Sequence, residues 1–174
     1  MKHYYTLNNG VKIPAIGFGT WQIPDGPEAY NATLAALKAG YRHIDTAMVY
    51  GNEKSVGRAI KDSGINREEI FVTTKLSAMI KGYDEALAEF EKSLANLGLD
   101  YIDLYLIHNV KPWGVESDGY EYMDANIASW KAFEKLYEEG KLRSIGVSNF
   151  LPGHLEILIE NAKIKPMVNQ IRLH

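Results

Sequence analysis

The feature that most narrows the fold is a regular alternation of short strand-like runs with longer stretches of helical period, most of the helices closed by a glycine. Residues 16–18 read as a first strand, and Pro27 opens a helix with Tyr30, Leu34 and Leu37 on one face. Gly40 closes that helix, because glycine takes the left-handed cap conformation without strain. Residues 42–45 form the second strand, and Asn52 is placed to cap a helix carrying Val56 and Ile60 that ends at Gly64. The β-branched run 70–74 is the third strand, compact as a buried parallel strand should be. Asp84 is the expected cap of a helix with Leu87, Phe90, Leu94 and Leu97 at helical spacing, stopped by Gly98. Residues 102–107 are strand four; a polar stretch from 109 to 124 follows, then a helix presenting Trp130, Phe133 and Tyr137 as far as Gly140. Residues 144–147 are strand five. Pro152 suits the first turn of a helix whose apolar face is Leu151, Leu155, Leu158 and Ile159, and residues 167–171 are strand six.

Six strands separated by five helices predict a parallel α/β architecture, organised as one domain over residues 1–174. Two parallel solutions compete, an open doubly wound sheet and a (β/α) barrel. The open sheet usually holds its cofactor on a glycine fingerprint after strand one. Here that segment reads Gly17-Phe18-Gly19-Thr20-Trp21-Gln22, without the third glycine, and no Walker loop occurs. Periodicity leaves the choice open; the polar residues at the strand ends lean toward the barrel, where such ends build the active site.

Composition removes other classes. A net charge of -3 supplies no basic field for nucleic acid or anionic lipid. The absence of cysteine excludes disulfides, thiolate metal sites and a cysteine nucleophile. No run approaches signal-peptide or membrane-span length, so the expectation is a soluble, cytoplasmic protein without membrane or nucleic-acid partners. The sequon Asn31-Ala32-Thr33 lies inside a predicted helix and reads as chance. No His or carboxylate spacing suits a metal, and none is expected. His3 and His154 read as exposed, His43 as structural, and the run 134–139 as a solvated helix face.

Four polar residues stand at or just beyond consecutive strand ends: Asp45, Tyr50, Lys75 and His108. Singly, each has a structural explanation; jointly, at successive strand ends, they point to chemistry. A phenol is a poor proton donor at neutral pH, and an adjacent ammonium lowers its pKa while a carboxylate holds that ammonium in place. Tyr50 is therefore the candidate general acid, Lys75 its tuner, Asp45 the anchor of Lys75 and His108 the orienter of a substrate carbonyl. Such a set protonates an oxygen but supplies no electrons, so a nicotinamide hydride donor is expected. A Schiff-base lyase using Lys75 is an alternative of a different class.

Gly40-Tyr41-Arg42-His43-Ile44-Asp45-Thr46-Ala47 followed by Tyr50-Gly51-Asn52-Glu53 resembles the best-known signature of the aldo-keto reductases. Leu106-Ile107-His108, the stretch from Gly146 to Phe150, and Val168-Asn169-Gln170 resemble three further family stretches, in order. The opening from Leu7 to Trp21 is similar to the family's N-terminal hairpin and first strand. The resemblance implies a TIM-type (β/α)8 barrel, here truncated to about six strands and five helices behind an N-terminal β-hairpin. It implies that Asp45, Tyr50, Lys75 and His108 are the catalytic tetrad of an NAD(P)H-dependent aldehyde or ketone reductase, with NADPH the expected cofactor and NADH possible. It also implies that Ser148, Asn149 and Gln170 bind the nicotinamide carboxamide, with Gly19, Thr20 and Trp21 at the mouth. Asn109, where many relatives carry tryptophan or glutamine, is a departure bearing on substrate shape. The non-enzymatic alternative is an association module that pairs its open barrel edges with a second copy.

Overall fold

A computed structural model describes residues 3–172. An antiparallel hairpin, β1 (Tyr4–Thr6) and β2 (Lys12–Pro14), precedes six parallel strands: β3 (Phe18–Gly19), β4 (His43–Asp45), β5 (Phe71–Leu76), β6 (Leu104–Ile107), β7 (Ile145–Ser148) and β8 (Asn169–Gln170). The strands lie side by side in sequence order, β3-β4-β5-β6-β7-β8. A doubly wound sheet reverses its strand order at a switch point, and this one never does. The sheet is a curled sector of a (β/α) barrel.

Five helices cross between successive strands: α1 (Pro27–Lys38), α2 (Glu53–Asp62), α3 (Tyr83–Leu97), α4 (Met123–Glu138) and α5 (Pro152–Asn161), each packed on the next. The core has two compartments because strand side chains alternate between faces. The larger lies between sheet and helices and is built on Ile44, Val72, Leu76, Tyr105 and Ile107 from the strands and Phe90, Trp130 and Phe133 from the helices. The smaller is the barrel interior, where Phe71, Leu104 and Leu106 meet Val11 and Ile13 of the hairpin. The hairpin thus closes one end of the sheet, tied down by Asn9 Nδ2 donating to Arg143 O at 2.9 Å.

β5 shows the alternation at its strictest, since all six of its residues are buried. Thr74 faces the helices and donates to Glu53 Oε1 at 2.7 Å, while Thr73 and Lys75 face the interior, pairing with His43 Nε2 and Asp45. At Gly146 the backbone just before β8 comes so close that a Cβ would stand 2.5 Å from Val168 O, which requires glycine there.

Several local expectations are corrected. Asn52 precedes α2 but makes no side-chain cap; it is fully buried and donates to Thr20 O and Ile23 O instead. Asp84 falls in the first turn of α3, whose cap position is Gly82. Residues 144–147 shift by one to Ile145–Ser148, and residues 167–171 contribute only a two-residue strand. Leu151 and Ile159 are exposed, leaving Leu158 as the buried leucine of α5. His154 is 1% exposed rather than superficial, and its Nδ1 accepts from Leu151 N at 3.2 Å. Glu134 is buried too, accepting from Ile164 N at 2.8 Å, so the charged face of α4 is interrupted.

Candidate active site

The C-terminal ends of β4, β5 and β6 bring the expected tetrad together. Lys75 Nζ donates to Asp45 Oδ1 at 2.5 Å and to Thr46 O at 2.9 Å, with Lys75 only 1% exposed. Asp45 keeps its second oxygen for Gln170, whose Nε2 donates to Oδ2 at 2.8 Å across the interior. Tyr50 sits on a short 3-10 turn, Met48–Tyr50, that ends at Gly51 in the left-handed conformation. Its ring lies under Lys75 Nζ, 5.2 Å from the centroid, and meets the edge of His108 at 5.8 Å. Beyond β6, His108 is gripped on its other side by Trp113, 5.4 Å away and nearly perpendicular.

Burial sets the protonation of this group. Desolvation pushes the Tyr50 phenol up to about 12, and the Asp45 carboxylate adds to the rise. The expected lowering by Lys75 is therefore not seen: the ammonium lies over the ring face and is itself neutralised by Asp45. Desolvation also lowers the Lys75 ammonium, with Asp45 opposing it. His108 falls to about 4 through burial first and the charges of Lys75 and Lys81 second, so the imidazole is neutral at physiological pH. Its Nδ1 is buried without a hydrogen-bond partner among the described residues.

Ser148, Asn149 and Gln170 close the opposite wall. Ser148 Oγ donates to Gln170 O at 2.9 Å, and Asn149 Nδ2 donates to Ser148 Oγ and His108 O, both at 3.0 Å. Asn149 holds a positive φ of 60°, a conformation asparagine tolerates better than most residues. Trp21 lines the mouth and is 62% exposed. Gly19 ends β3 with open space where a Cβ would be. Thr20 departs from expectation: it is fully buried and donates its hydroxyl to Asn52, so its side chain does not face the mouth.

These groups border a cleft of about 810 Å³ lined by Tyr50, His108, Ser148, Asn149 and Gln170. Val49, Trp113 and Gln22 line it as well and were missed in the sequence. For Trp113 a signal existed, an aromatic residue in the one long loop above a strand end. Val49 and Gln22 carried none. A second cleft, of about 930 Å³, opens at the other end of the strands beneath the hairpin, and no member of the tetrad reaches it.

Known proteins place the chain in a family. The profile of the aldo/keto reductase family matches residues 15–174. The 9,11-endoperoxide prostaglandin H2 reductase of Trypanosoma cruzi (strain CL Brener) is 52% identical over 169 residues, 97% of this chain and 56% of that protein. The glyoxal reductase of Bacillus subtilis (strain 168) is 49% identical over 174 residues, 100% of this chain and 59% of that protein. Among solved structures, an aldo/keto reductase from Brucella melitensis superposes with a TM-score of 0.91 at 49% identity, covering 100% of this chain and 64% of the other. A Bombyx mori aldo-keto reductase in complex with NADP gives 0.85 at 35% identity, covering 99% and 58%. The chain spans less than two thirds of the length of each of these relatives. With its sequential parallel strands and four polar residues gathered at their ends, the chain belongs to the aldo/keto reductase family.

Proposed function

We propose that this chain carries the chemistry of an NAD(P)H-dependent carbonyl reductase acting on aldehydes or ketones. The observation that carries this reading is that Tyr50 and His108 meet edge to edge on the cleft, with the Lys75–Asp45 pair buried directly behind the Tyr50 ring. Tyr50 is the proton donor. Its hydroxyl makes no hydrogen bond among the described residues, and an alkoxide is a far stronger base than a phenoxide. A phenol at about 12 therefore gives up its proton to a forming alkoxide downhill while staying protonated beforehand. Lys75, held by Asp45, fixes the Tyr50 ring from its face, and the neutral His108 ring presents one N–H to the carbonyl oxygen.

A bound nicotinamide supplies the hydride. The residues suit its carboxamide: the acceptor oxygens Asn149 Oδ1 and Gln170 Oε1 take no hydrogen bond within the described residues, while their N–H groups are engaged by His108 O, Ser148 and Asp45. Asn149, Gln170 and Ser148 would hold that amide, with Trp21 at the mouth. The relative named a glyoxal reductase and the neighbour carrying NADP support small carbonyl substrates and a phosphorylated cofactor, with NADPH favoured. A lyase reading is weaker, since Lys75 Nζ is tied to Asp45 and Thr46 rather than free. Edge-to-edge association is weaker too, because β3 and β8 are two residues long and offer few unpaired backbone groups.

The test is NADPH oxidation by the purified chain with glyoxal or an aromatic aldehyde, beside Tyr50→Phe. Wild-type turnover that falls by about 10²–10⁴ in the variant, with NADPH affinity kept, is the expected result. Equal turnover by the two proteins would remove Tyr50 from the chemistry.

A further inference from the structure

A catalytic imidazole is usually aimed by a hydrogen bond on its second ring nitrogen, commonly from a carbonyl or carboxylate. His108 lacks one, because Nδ1 is buried with no partner among the described residues. Its ring is steered by the edges of Tyr50 and Trp113 and by the backbone that carries it.

That backbone is held at three consecutive carbonyls. Asn149 Nδ2 donates to His108 O at 3.0 Å, Lys81 Nζ to Asn109 O at 2.6 Å, and Asn126 Nδ2 to Val110 O at 2.6 Å. The donors come from three places: the loop after β7, the loop after β5, and α4. Asn126 is fully buried. Lys81 is unusual for its setting, since burial alone pushes its ammonium down to about 7 with no carboxylate offsetting it. A lysine amine half-buried without a carboxylate is costly to keep charged, and its one hydrogen bond among the described residues goes to the residue next to His108. The loop bearing Lys81 is fixed in turn by α4: Gly82 N donates to Ser129 Oγ at 2.9 Å, and that hydroxyl donates back to Gly82 O at 3.2 Å. Asn126 and Ser129 stand three residues apart on one face of the helix, so a single surface of α4 sets both clamps.

We propose that Lys81 and Asn126 are positioning residues that aim the His108 imidazole through the carbonyls of Asn109 and Val110. This rests on the carbonyl-reductase reading for its effect on rate, but the aim of the ring is a property of the unliganded protein.

The test combines ring NMR with kinetics. The His108 ring signals are assigned by their loss in His108→Asn and then followed in Lys81→Met and Asn126→Ala, each shown folded by circular dichroism. Asn126→Ala changes no charge, so movement there reports position alone. Both variants are expected to move the His108 signals and to lower kcat about 10–100-fold, in keeping with the sensitivity of catalysis to small misplacements. KM for NADPH should stay within about twofold of wild type, because neither residue borders the amide-binding wall. The proposal is overturned if either folded variant leaves the His108 signals at their wild-type positions, or if the kinetic change is confined to KM for NADPH. Wild-type protein without turnover would count against the reductase reading alone, and the ring signals would still decide the clamp.

Discussion

Replacing Lys75 with methionine removes the ammonium from the site while keeping most of the volume of its stem. In the variant the Asp45 carboxylate loses its 2.5 Å partner and retains Gln170 Nε2 at 2.8 Å, and Thr46 O loses its donor. Breaking a fully buried ion pair by deleting one partner costs about 3–5 kcal/mol. The Asp45 side chain is 16% exposed and keeps one charge-assisted bond, which reduces the loss to about 2–3 kcal/mol. Asp45→Asn strands the opposite charge. The amide oxygen can still accept from Lys75, so a loss of about 2 kcal/mol is expected. The double variant buries no charge, and the introduced amide can still accept from Gln170; its loss should be only about 1–2 kcal/mol, well below the sum of the singles. The assay is urea unfolding followed by tryptophan fluorescence, with the buried Trp130 as main reporter. A coupling of about 2–4 kcal/mol at unchanged m is the expected result. Singles that add to the double within about 0.5 kcal/mol would refute the view that this pair is one electrostatic unit.

Three further outcomes follow from the same contacts. His108 titrates at about 4 in the folded chain against 6.5 ordinarily, so the unfolded chain binds the extra proton between those values. Through this group stability should be fully present above pH 6.5 and decline by roughly 3 kcal/mol as pH falls toward 4; His108→Asn should remove that share of the slope in urea melts and leave the share of His43, also lowered by burial, and an unchanged slope would contradict it. Gly57→Ala places a Cβ 2.0 Å from Leu97 O, so α2 must move off α3, and a loss of at least 1–3 kcal/mol, roughly, should appear as a lowered Tm. Asn52→Ala orphans Ile23 O and leaves the Thr20 and Thr46 hydroxyls without their acceptor, while Thr20 O keeps Ile23 N; a cost of about 2–4 kcal/mol is expected, with faster amide exchange confined at first to residues 20–26, and uniform exchange would argue against this local role.

The succession of strands and helices was legible because its signals are local. Gly40 and Gly98 stop their helices in the left-handed conformation or beside it, and Pro27 and Pro152 start theirs, wherever the rest of the chain lies. Choosing a barrel sector over a doubly wound sheet needed the strand order, which no local signal carries. Asp45, Lys75 and His108 were legible for a related reason: successive strand ends in a parallel sheet face one another. Where the reading failed, a tertiary partner overrode a local one. Asn52 has the residue type and position of a helix cap, yet two carbonyls of the β3 loop hold its amide. His154 and Glu134 lie in helix segments that read as exposed, but each turns inward to a backbone N–H.

The protonation of Tyr50 shows the same limit in energetic form. Adjacency of a phenol and an ammonium correctly marks the pair, but the direction of the shift depends on which of two large effects dominates. A cation 5.2 Å from the ring, already held by a carboxylate at 2.5 Å, projects little net charge, whereas partial loss of water acts on the phenoxide directly. Under the proposed function the site would work with a reluctant donor and not a pre-ionised one. Its proton would be released only when the stronger base appears beside it, which would tie proton transfer to the reducing step and make water in the cleft a poor competitor. The carbonyl clamp on residues 108–110 fits that scheme, because a reluctant donor serves only a carbonyl oxygen held at one angle. Lys81 illustrates why this layer was invisible in the chain: nothing around it in sequence distinguishes it from a surface lysine, and its place is defined entirely by a carbonyl 28 residues away.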